Sequence, residues 1–268
     1  MRNLVFFITH KTLPLTHADA VFYSISKQAV RDGKKFDVLY LYNTHSDELP
    51  NEELLSLYEK YDLQRFFGEV KIFPYDNNTH KSVGGDVEAI RNYAIANYAP
   101  EDRFLMLKSD SVISKNYFDD ILHLDPNRPV YFVAPFINAK ERVTDAEIFE
   151  YVARDQYVKS DEITFFVEDT ESHLPTDFQT RPGCTVTDPQ FKFTSCYVCH
   201  DFSAHFLSVS LARLIRINKQ SWGGVSFRPL MSNLIKTDRS FVVHKYHDIV
   251  SENRDRDREG PAPIWLRS

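Results

Sequence analysis

The first half of the chain alternates short apolar segments with stretches of helical periodicity, and this pattern limits the possible fold more than any other feature. The apolar segments read NLVFFITH, FDVLYLYN, VKIFPYD, RFLMLKSD and VYFVAPF. Helical patterns lie between them, at about residues 18–32, 52–61 and 87–97. Alternation of this kind predicts an α/β fold, with a mostly parallel central sheet flanked by helices.

The pattern changes after about residue 140. An acidic helical pattern covers residues 144–159, and a stretch rich in Thr, Pro and Asp follows it as far as Pro189. A strand then returns as FKFTSCYVCH, followed by a long amphipathic helix predicted over about residues 202–218 and a last strand, SFVVHKYH. We find no internal repeat and no linker, so we expect a single domain over residues 1–268.

Composition excludes several classes of partner. The 268 residues carry a net charge of −6, and the acidic and basic residues are interspersed, so we expect no nucleic-acid partner. The apolar run in MRNLVFFITHKTLPL is too short for a signal peptide or a membrane span, and the chain has three cysteines. We therefore expect a cytoplasmic protein without a membrane span.

The segment RFLMLKSDSVIS begins with an apolar run that is typical of a fully buried strand, and this run ends in polar residues. Lys108, Ser109 and Asp110 follow the apolar run directly. In open α/β sheets, ligands bind at the carboxyl ends of the strands, so this position predicts a binding site. The alternative is that Asp110 caps a helical turn over residues 115–122.

Residues 84–114, GGDVEAIRNYAIANYAPEDRFLMLKSDSVIS, resemble the GT-A fold nucleotide-sugar-dependent glycosyltransferases. The shared pattern is a glycine-rich turn, a helix carrying Arg-Asn, and an apolar strand that ends in Asp-x-Asp. The resemblance implies a GT-A (Rossmann-like) architecture. It implies that Asp110 binds Mn²⁺ or Mg²⁺ at the donor diphosphate, with Ser109 beside it and Arg91 near the nucleotide. Lys108 replaces the first Asp, and because a lysine can meet phosphate directly, metal dependence stays open.

A second match to the same family lies near the C-terminus. SWGGVSFRPLMSNL corresponds to an acceptor-side Trp-Gly-Gly segment, which is Trp222, Gly223 and Gly224 here. FVVHKYHDIV corresponds to the position of a metal-ligand histidine. The resemblance implies His247 as that ligand, because it lies past the apolar run, with His244 as the alternative. Hydrogen-bonded histidines at a strand end are the other interpretation.

The catalytic base is not assigned by these motifs. Many family members follow Trp-Gly-Gly with Glu-Asp, whereas this chain has Val225 and Ser226. We consider Asp201 as the base, since an inverting transfer needs a carboxylate, whereas a retaining transfer can rely on the departing phosphate oxygen. An Asp at the start of the predicted 202–218 helix also suits an N-cap.

Polar residues at other strand ends would line the nucleotide cleft of such a fold. They are Thr9 and His10 after the first strand and Asp76 at the end of VKIFPYD, although turn or capping roles suit each of them. The C-terminal tail carries Arg254, Arg256 and Arg258, which could close over the donor, or the tail could be solvated. The resemblance divides the domain into a nucleotide-sugar-binding half (1–136), a loop-rich insertion (137–190) and an acceptor-side half with the tail (191–268).

One motif suggests a different chemistry. Cys196, Cys199 and His200 match the C-x-x-C-H pattern of haem attachment. We expect the segment to form a strand, which would direct the two cysteines to opposite faces. Buried structural cysteines therefore explain the motif better than haem or zinc.

The resemblance implies a glycosyltransferase that moves a hexosyl or related group from a nucleoside-diphosphate sugar, such as a UDP-sugar, to a glycan or lipid-linked acceptor. The expected setting is surface or capsular polysaccharide synthesis, or glycan synthesis encoded by a virus. Alternatives are a non-catalytic nucleotide-sugar or glycan-binding protein, which Lys108 favours, and a sugar nucleotidyltransferase, which the lack of glycine in FFITHKTLPL disfavours. A hydrolase would need paired carboxylates at a set separation.

Overall fold

The computed structural model describes residues 1–9, 15–43, 51–74, 83–139, 143–155, 165–166, 193–198, 204–217, 225–226, 228–237 and 239–245. The helices are α1 (Leu15–Ser26), α2 (Asn51–Lys60), α3 (Val83–Asn97), α4 (Tyr117–Leu122), α5 (Asp145–Val152) and α6 (Val209–Ala212). The strands are β1 (Asn3–Thr9), β2 (Phe36–Asn43), β3 (Phe67–Ile72), β4 (Arg103–Lys108), β5 (Ser111–Ile113), β6 (Tyr131–Val133), β7 (Phe136–Ala139), β8 (Phe165–Phe166), β9 (Phe193–Val198), β10 (Ala204–Ser208), β11 (Arg216–Ile217), β12 (Val225–Ser226), β13 (Leu234–Lys236) and β14 (Val242–His244).

A seven-stranded sheet in the order β13-β6-β10-β4-β1-β2-β3 forms the centre of the molecule. Strands β1 to β4 are parallel to one another, and β13 is parallel to β6. Among the described strands of this sheet, β10 alone runs antiparallel to its neighbours, β4 and β6. The predicted mostly parallel α/β sheet is confirmed.

Both faces of the central sheet are buried, because helices cover each side. On β1, Val5 and Phe7 belong to the core shared with α1, α2 and α4, whereas Leu4, Phe6 and Ile8 belong to the core shared with α3 and α6. Each fully buried apolar side chain of this kind contributes roughly 1.5–3 kcal/mol. The continuous apolar composition of the parallel strands follows from this two-sided burial.

A second, five-stranded sheet has the order β5-β14-β7-β9-β8. Its first strand, β5, follows β4 after the short turn at Ser109 and Asp110, so the two sheets meet there. Strand β14 lies between β5 and β7, antiparallel to the first and parallel to the second. This pairing joins a C-terminal segment to the polar end of β4.

Helix α1 shows how the sequence pattern produces a buried helical face. Ala18, Val21, Phe22 and Ile25 recur at helical spacing, and all four are at most 1% exposed. The helix ends at Ser26, earlier than the predicted boundary near residue 32. Asp32 and Gly33 both have a φ of 62°, so the chain turns there instead of continuing as a helix.

The predicted long helix over about residues 202–218 is wrong. Residues Ala204–Ser208 form β10, all five of them buried, and within the described residues 204–217 only the four residues Val209–Ala212 are helical. The apolar run of residues 204–208 is consistent with either a helix or a strand. It forms a strand because it lies between β4 and β6 and makes hydrogen bonds to both of them.

Two further boundaries differ from the prediction. The segment VYFVAPF is not one strand, since Tyr131–Val133 joins the central sheet and Phe136–Ala139 joins the second. Pro135, which has no N–H to donate, lies between them. The predicted helical turn over residues 115–122 begins at Tyr117 with Asn116 as its N-cap, and β5 separates it from Asp110. Asp110 is therefore not its cap.

Strands β8, β11, β12 and β13 were not predicted, whereas three other described elements agree with the prediction. Helix α5 falls within the acidic pattern over residues 144–159, and Thr144 and Glu147 form a capping box at its start. FKFTSCYVCH contains β9, and SFVVHKYH contains β14. No helix in the described part of the chain has the length and apolar character needed to cross a bilayer. The division of the domain near residues 136 and 190 stays a prediction.

Candidate functional site

Three polar residues lie side by side where β1, β2 and β4 end. Thr9 pairs in register with Asn43, and the Ser109 amide donates to the Ile8 carbonyl at 2.8 Å, which places Ser109 beside Thr9. The Thr9 hydroxyl donates to Asn43 Oδ1 at 3.0 Å. All three are at most 6% exposed. Because the strands are parallel, their carboxyl ends form one polar edge.

The Ser109 side chain is the member of this edge with unused hydrogen-bonding capacity. It is 2% exposed, and its Oγ has no hydrogen-bond partner among the described residues. A buried hydroxyl without a partner costs about 1–3 kcal/mol. An oxygen or nitrogen of a bound ligand could satisfy it.

A second row of side chains lies on the opposite face of the same strand ends. Ile8 is in register with Tyr42 on one side and Lys108 on the other. Ile8 and Tyr42 belong to the core that faces α3. Lys108 has the same parity on β4 as Phe104 and Met106, which also belong to that core. Lys108 is thus directed to the α3 side of the sheet.

Asp86, in the first turn of α3, faces this second row. Its Oδ1 accepts a hydrogen bond of 2.9 Å from the Tyr42 hydroxyl, and it is 7% exposed. Burial raises the pKa of Asp86 to about 7, although the Tyr42 hydrogen bond and the Lys108 charge both lower it. The carboxyl group is consequently divided between its neutral and ionised forms near neutral pH.

Asp110 is held in place from three directions and is 5% exposed. The Ser111 hydroxyl donates to its Oδ1 at 3.0 Å, and the Lys245 amide donates to its carbonyl at 2.8 Å. His244 Nε2 lies 3.1 Å from Asp110 Oδ2, because the register of β14 against β5 sets His244 opposite Ser111. Two residues predicted as metal ligands from distant motifs therefore meet.

These two side chains have donor atoms and a spacing that are compatible with a divalent cation. A carboxylate oxygen suits Mn²⁺ or Mg²⁺, whereas an imidazole nitrogen is a ligand for transition metals rather than for Mg²⁺, so the pair favours Mn²⁺. Two ligand atoms about 2.1 Å from an octahedral ion and at right angles are about 3 Å apart, close to the 3.1 Å between Asp110 Oδ2 and His244 Nε2. Within the described ranges no group of three or more His, Cys, Asp or Glu side chains could hold a metal ion. Asp110 and His244 fit such an ion as a partial ligand set.

Arg91 contacts the protein itself. Its Nε donates to the Ala212 carbonyl at 2.7 Å, and its Nη2 donates to the Arg213 carbonyl at 3.4 Å. These contacts hold α3 against the C-terminal end of α6, where carbonyl groups lack helical partners. Its predicted position near the nucleotide stays a prediction.

Seven predicted site residues lie outside the described ranges. They are His10, Asp76, Asp201, Trp222, Gly223, Gly224 and His247. The arginines of the C-terminal tail and the histidine of the C-x-x-C-H motif are also outside them. Their predicted roles in the nucleotide site, acceptor site, metal site and catalysis stay predictions.

Tyr42, Asn43 and Asp86 belong to the site although sequence reasoning did not single them out. Asn43 ends the second strand in the same way that Thr9 ends the first, so the rule applied to Thr9 would have found it. Asp86 stands within GGDVEAIRN, but a charged residue in the first turn of a helix is ordinary. Only the packing of α3 against the sheet reveals that Asp86 and Tyr42 meet.

No family model matches the chain, and a search of curated proteins finds no match. The chain is similar in structure to the glycosyltransferase GlyE of Streptococcus pneumoniae TIGR4, with 18% identity, 50% of this chain and 29% of that chain covered, and a TM-score of 0.32. It is also similar to S. aureus TarS, with 10% identity and a TM-score of 0.48; the match covers 92% of this chain and 37% of that chain.

A third similar structure is HddC from Yersinia pseudotuberculosis, with 12% identity, coverage of 97% of this chain and 99% of that chain, and a TM-score of 0.40. The chain spans less than two fifths of the GlyE and TarS chains that it matches. All three TM-scores lie below 0.5. We therefore base the function on the geometry of the site.

Proposed function

We propose that this chain is a glycosyltransferase that binds a nucleoside-diphosphate sugar at the carboxyl edge of its central sheet. The observation that carries the proposal is the approach of His244 Nε2 to Asp110 Oδ2 at 3.1 Å. The two residues are 134 positions apart. Different motifs predict Asp110 as a metal ligand and His244 as the alternative to His247. The pairing of β14 with β5 brings Asp110 and His244 together at the carboxyl end of β4, the edge at which α/β sheets bind ligands.

The residues of the edge suit a diphosphate. A divalent cation held by Asp110 and His244 would supply positive charge that offsets the charge on the departing nucleoside diphosphate. Lys108 adds a cation on the α3 side of the same strand end, and the Ser109 hydroxyl offers a donor. The buried walls of the edge strengthen each of these electrostatic contacts.

The finer features of the reaction belong to the same proposal. We infer a UDP-sugar or GDP-sugar donor, a hexosyl or related group, and a glycan or lipid-linked acceptor in surface polysaccharide synthesis in the cytoplasm. Trp222, Gly223 and Gly224 would face the acceptor, and Asp201 would serve as the base. These assignments rest on the motifs alone.

A non-catalytic nucleotide-sugar-binding protein is the second candidate. Lys108 at the first acidic position and Val225-Ser226 after Trp-Gly-Gly favour it. Such a protein would bind the donor at the same edge without releasing the sugar. Product formation therefore separates the two candidates, whereas binding alone does not.

The first test is thermal unfolding with UDP-sugars and GDP-sugars, with and without Mn²⁺. At about 100-fold over Kd, we expect the melting temperature to rise by about 5 °C or more. Asp110→Ala should abolish the Mn²⁺-dependent part of that rise, and His244→Ala should reduce it.

Matched control variants are available for both substitutions. Asp19→Ala removes a carboxylate of α1 that pairs with Lys60, and His123→Ala removes a histidine that contacts Asp119 in α4. Neither should change the Mn²⁺-dependent rise. If no nucleotide sugar shifts the melting temperature of the unaltered protein, the proposed function is wrong.

A further inference from the structure

Asp110 and His244 can act together only if two very short strands keep their register. Strands β5 and β14 have three residues each, so their mutual hydrogen bonds are few. A slip of one residue would direct the His244 side chain to the other face of the sheet. Contacts outside the two strands must therefore contribute to the position of His244.

The chain that enters β14 is folded around the carboxylate of Asp120. The Thr237 hydroxyl donates to Asp120 Oδ2 at 3.2 Å, and the Ser240 hydroxyl donates to the same atom. The Thr237 hydroxyl oxygen also accepts the amides of Arg239 and Ser240, at 3.1 and 3.3 Å. Asp120 thus organises the turn that leads into the strand of His244.

Arg239 ties this turn to two neighbouring carboxylates. Its Nη2 lies 3.3 Å from Asp119 Oδ2, and its Nη1 lies 3.2 Å from Asp120 Oδ1. The Asp119 side chain is only 3% exposed. Burial raises its pKa, but hydrogen bonds and charge from Arg31 outweigh that effect and leave the pKa of Asp119 lowered. Asp119 is therefore an anion at neutral pH that requires cationic partners.

Both carboxylates belong to α4, which lies close to Asp110 in the chain. Ser114, between β5 and α4, donates its amide to the Phe241 carbonyl at 3.0 Å and accepts the Phe241 amide on its hydroxyl at 2.9 Å. Residues 110–120 thus carry one predicted metal ligand and hold the strand that carries the other.

We propose that Arg239, through Asp119 and Asp120, is a positioning residue that holds His244 at Asp110 for binding of a divalent cation. The inference rests on the proposed function, since it assigns the two residues to a metal site. Arg239 itself touches neither of them in any described contact. It acts through the register of β14.

The test measures the affinity for Mn²⁺ alone, by titration followed with electron paramagnetic resonance. We expect Arg239→Ala to weaken Mn²⁺ binding about tenfold, in the range known for residues that orient metal ligands. Arg31→Ala is the matched control, because Arg31 contacts the same Asp119 at 3.1 Å but precedes β2 rather than β14. It should change the affinity less than twofold.

A double-mutant cycle with His244→Ala separates positioning from general stability. If Arg239 acts through His244, Arg239→Ala should change Mn²⁺ affinity less than twofold once His244 is alanine. An equal loss in both backgrounds, an equal loss in Arg31→Ala, or no Mn²⁺ binding by the unaltered protein would overturn the inference.

A second variant covers the case in which Arg239→Ala does not fold. Arg239→Lys keeps the charge but loses the forked contact with two carboxylates, and we expect about a threefold loss of Mn²⁺ affinity. Unchanged affinity in that variant would count against the inference. Failure of the proposed function is distinct, because it appears as no response to nucleotide sugars while Mn²⁺ binding and its dependence on Arg239 persist.

Discussion

Lys108 and Asp110 are separated by one residue in the chain, yet they lie in different surroundings. Lys108 is directed to the α3 face of the sheet, where its charge lowers the pKa of Asp86. Asp110 lies in the turn after β4 and contacts His244. The lysine that replaces the first acidic residue is therefore accompanied by a carboxyl group from another element. The positive charge of Lys108 is thus partly offset by the Asp86 carboxyl group of α3, which is not part of the Asp-x-Asp motif.

Asp86 predicts a pH-dependent stability. Its pKa is about 7 in the folded protein, whereas an unfolded Asp titrates near 3.9. The folded state binds the proton more tightly, so this stabilisation is complete below about pH 4 and is lost as the pH rises towards 7. Asp86→Asn keeps an acceptor for Tyr42 without titrating. Between pH 5 and pH 8, urea unfolding should show the variant gaining roughly 2–3 kcal/mol relative to the unaltered protein.

A stability difference between the two proteins that does not change with pH would mean that Asp86 is ionised throughout that range.

At the scale of elements, the short helices next to the site serve as supports for it. Helix α5 accepts the Lys115 amide on the Val152 carbonyl at 3.0 Å, and Asp145 in its first turn lies 2.5 Å from the Lys245 ammonium. Lys245 follows His244 directly and is largely buried. The end of β14 is thus fixed by α5, as its beginning is fixed by α4.

The capping box of α5 predicts a measurable contribution to stability. Thr144→Ala removes the hydroxyl that accepts the Glu147 amide and should lower the free energy of unfolding by about 1 kcal/mol. Ser56→Ala is a suitable comparison, since that exposed hydroxyl only bonds the carbonyl of Glu52 within α2. It should change stability by less than about 0.5 kcal/mol. Equal losses in urea unfolding would argue against a role for the cap.

At the scale of the whole molecule, the site lies where the chain passes from one sheet to the other. Strand β4 of the central sheet leads into β5 of the second sheet through Ser109 and Asp110, and β6 leads into β7 through Pro135. The central sheet supplies a rigid, doubly covered edge. The second sheet supplies the histidine.

This architecture predicts an uneven pattern of amide hydrogen exchange. Strand β1 lies between β2 and β4 with six of its seven residues buried, whereas β3 is an edge strand with four of six residues exposed. Mass spectrometry should find the slowest exchange in β1 and β4 and clearly faster exchange in β3. Equal protection of β1 and β3 would contradict the described strand order.

Local sequence patterns were sufficient to predict much of the fold and one of the two residues in the Asp110–His244 contact. The apolar run of β4 and its polar end could be predicted because burial on both faces gives a strand a continuous apolar composition, and polar residues mark where it ends. Asp110 was found in this way. Helices α2 and α3 were also found, because their apolar residues recur at helical spacing.

Long-range pairing decided the rest, because register and strand order are not written in any local pattern. The run AHFLS forms a strand because its backbone pairs with both β4 and β6 in the central sheet. Sequence reasoning preferred His247 at the metal site, whereas the contact that the structure describes joins His244 to Asp110 through the pairing of β14 with β5. Asp86 reaches Tyr42, and Arg239 reaches α4, across 44 and 120 residues of chain. Contacts at such separations depend on the packing of whole elements, and only the tertiary structure contains that information.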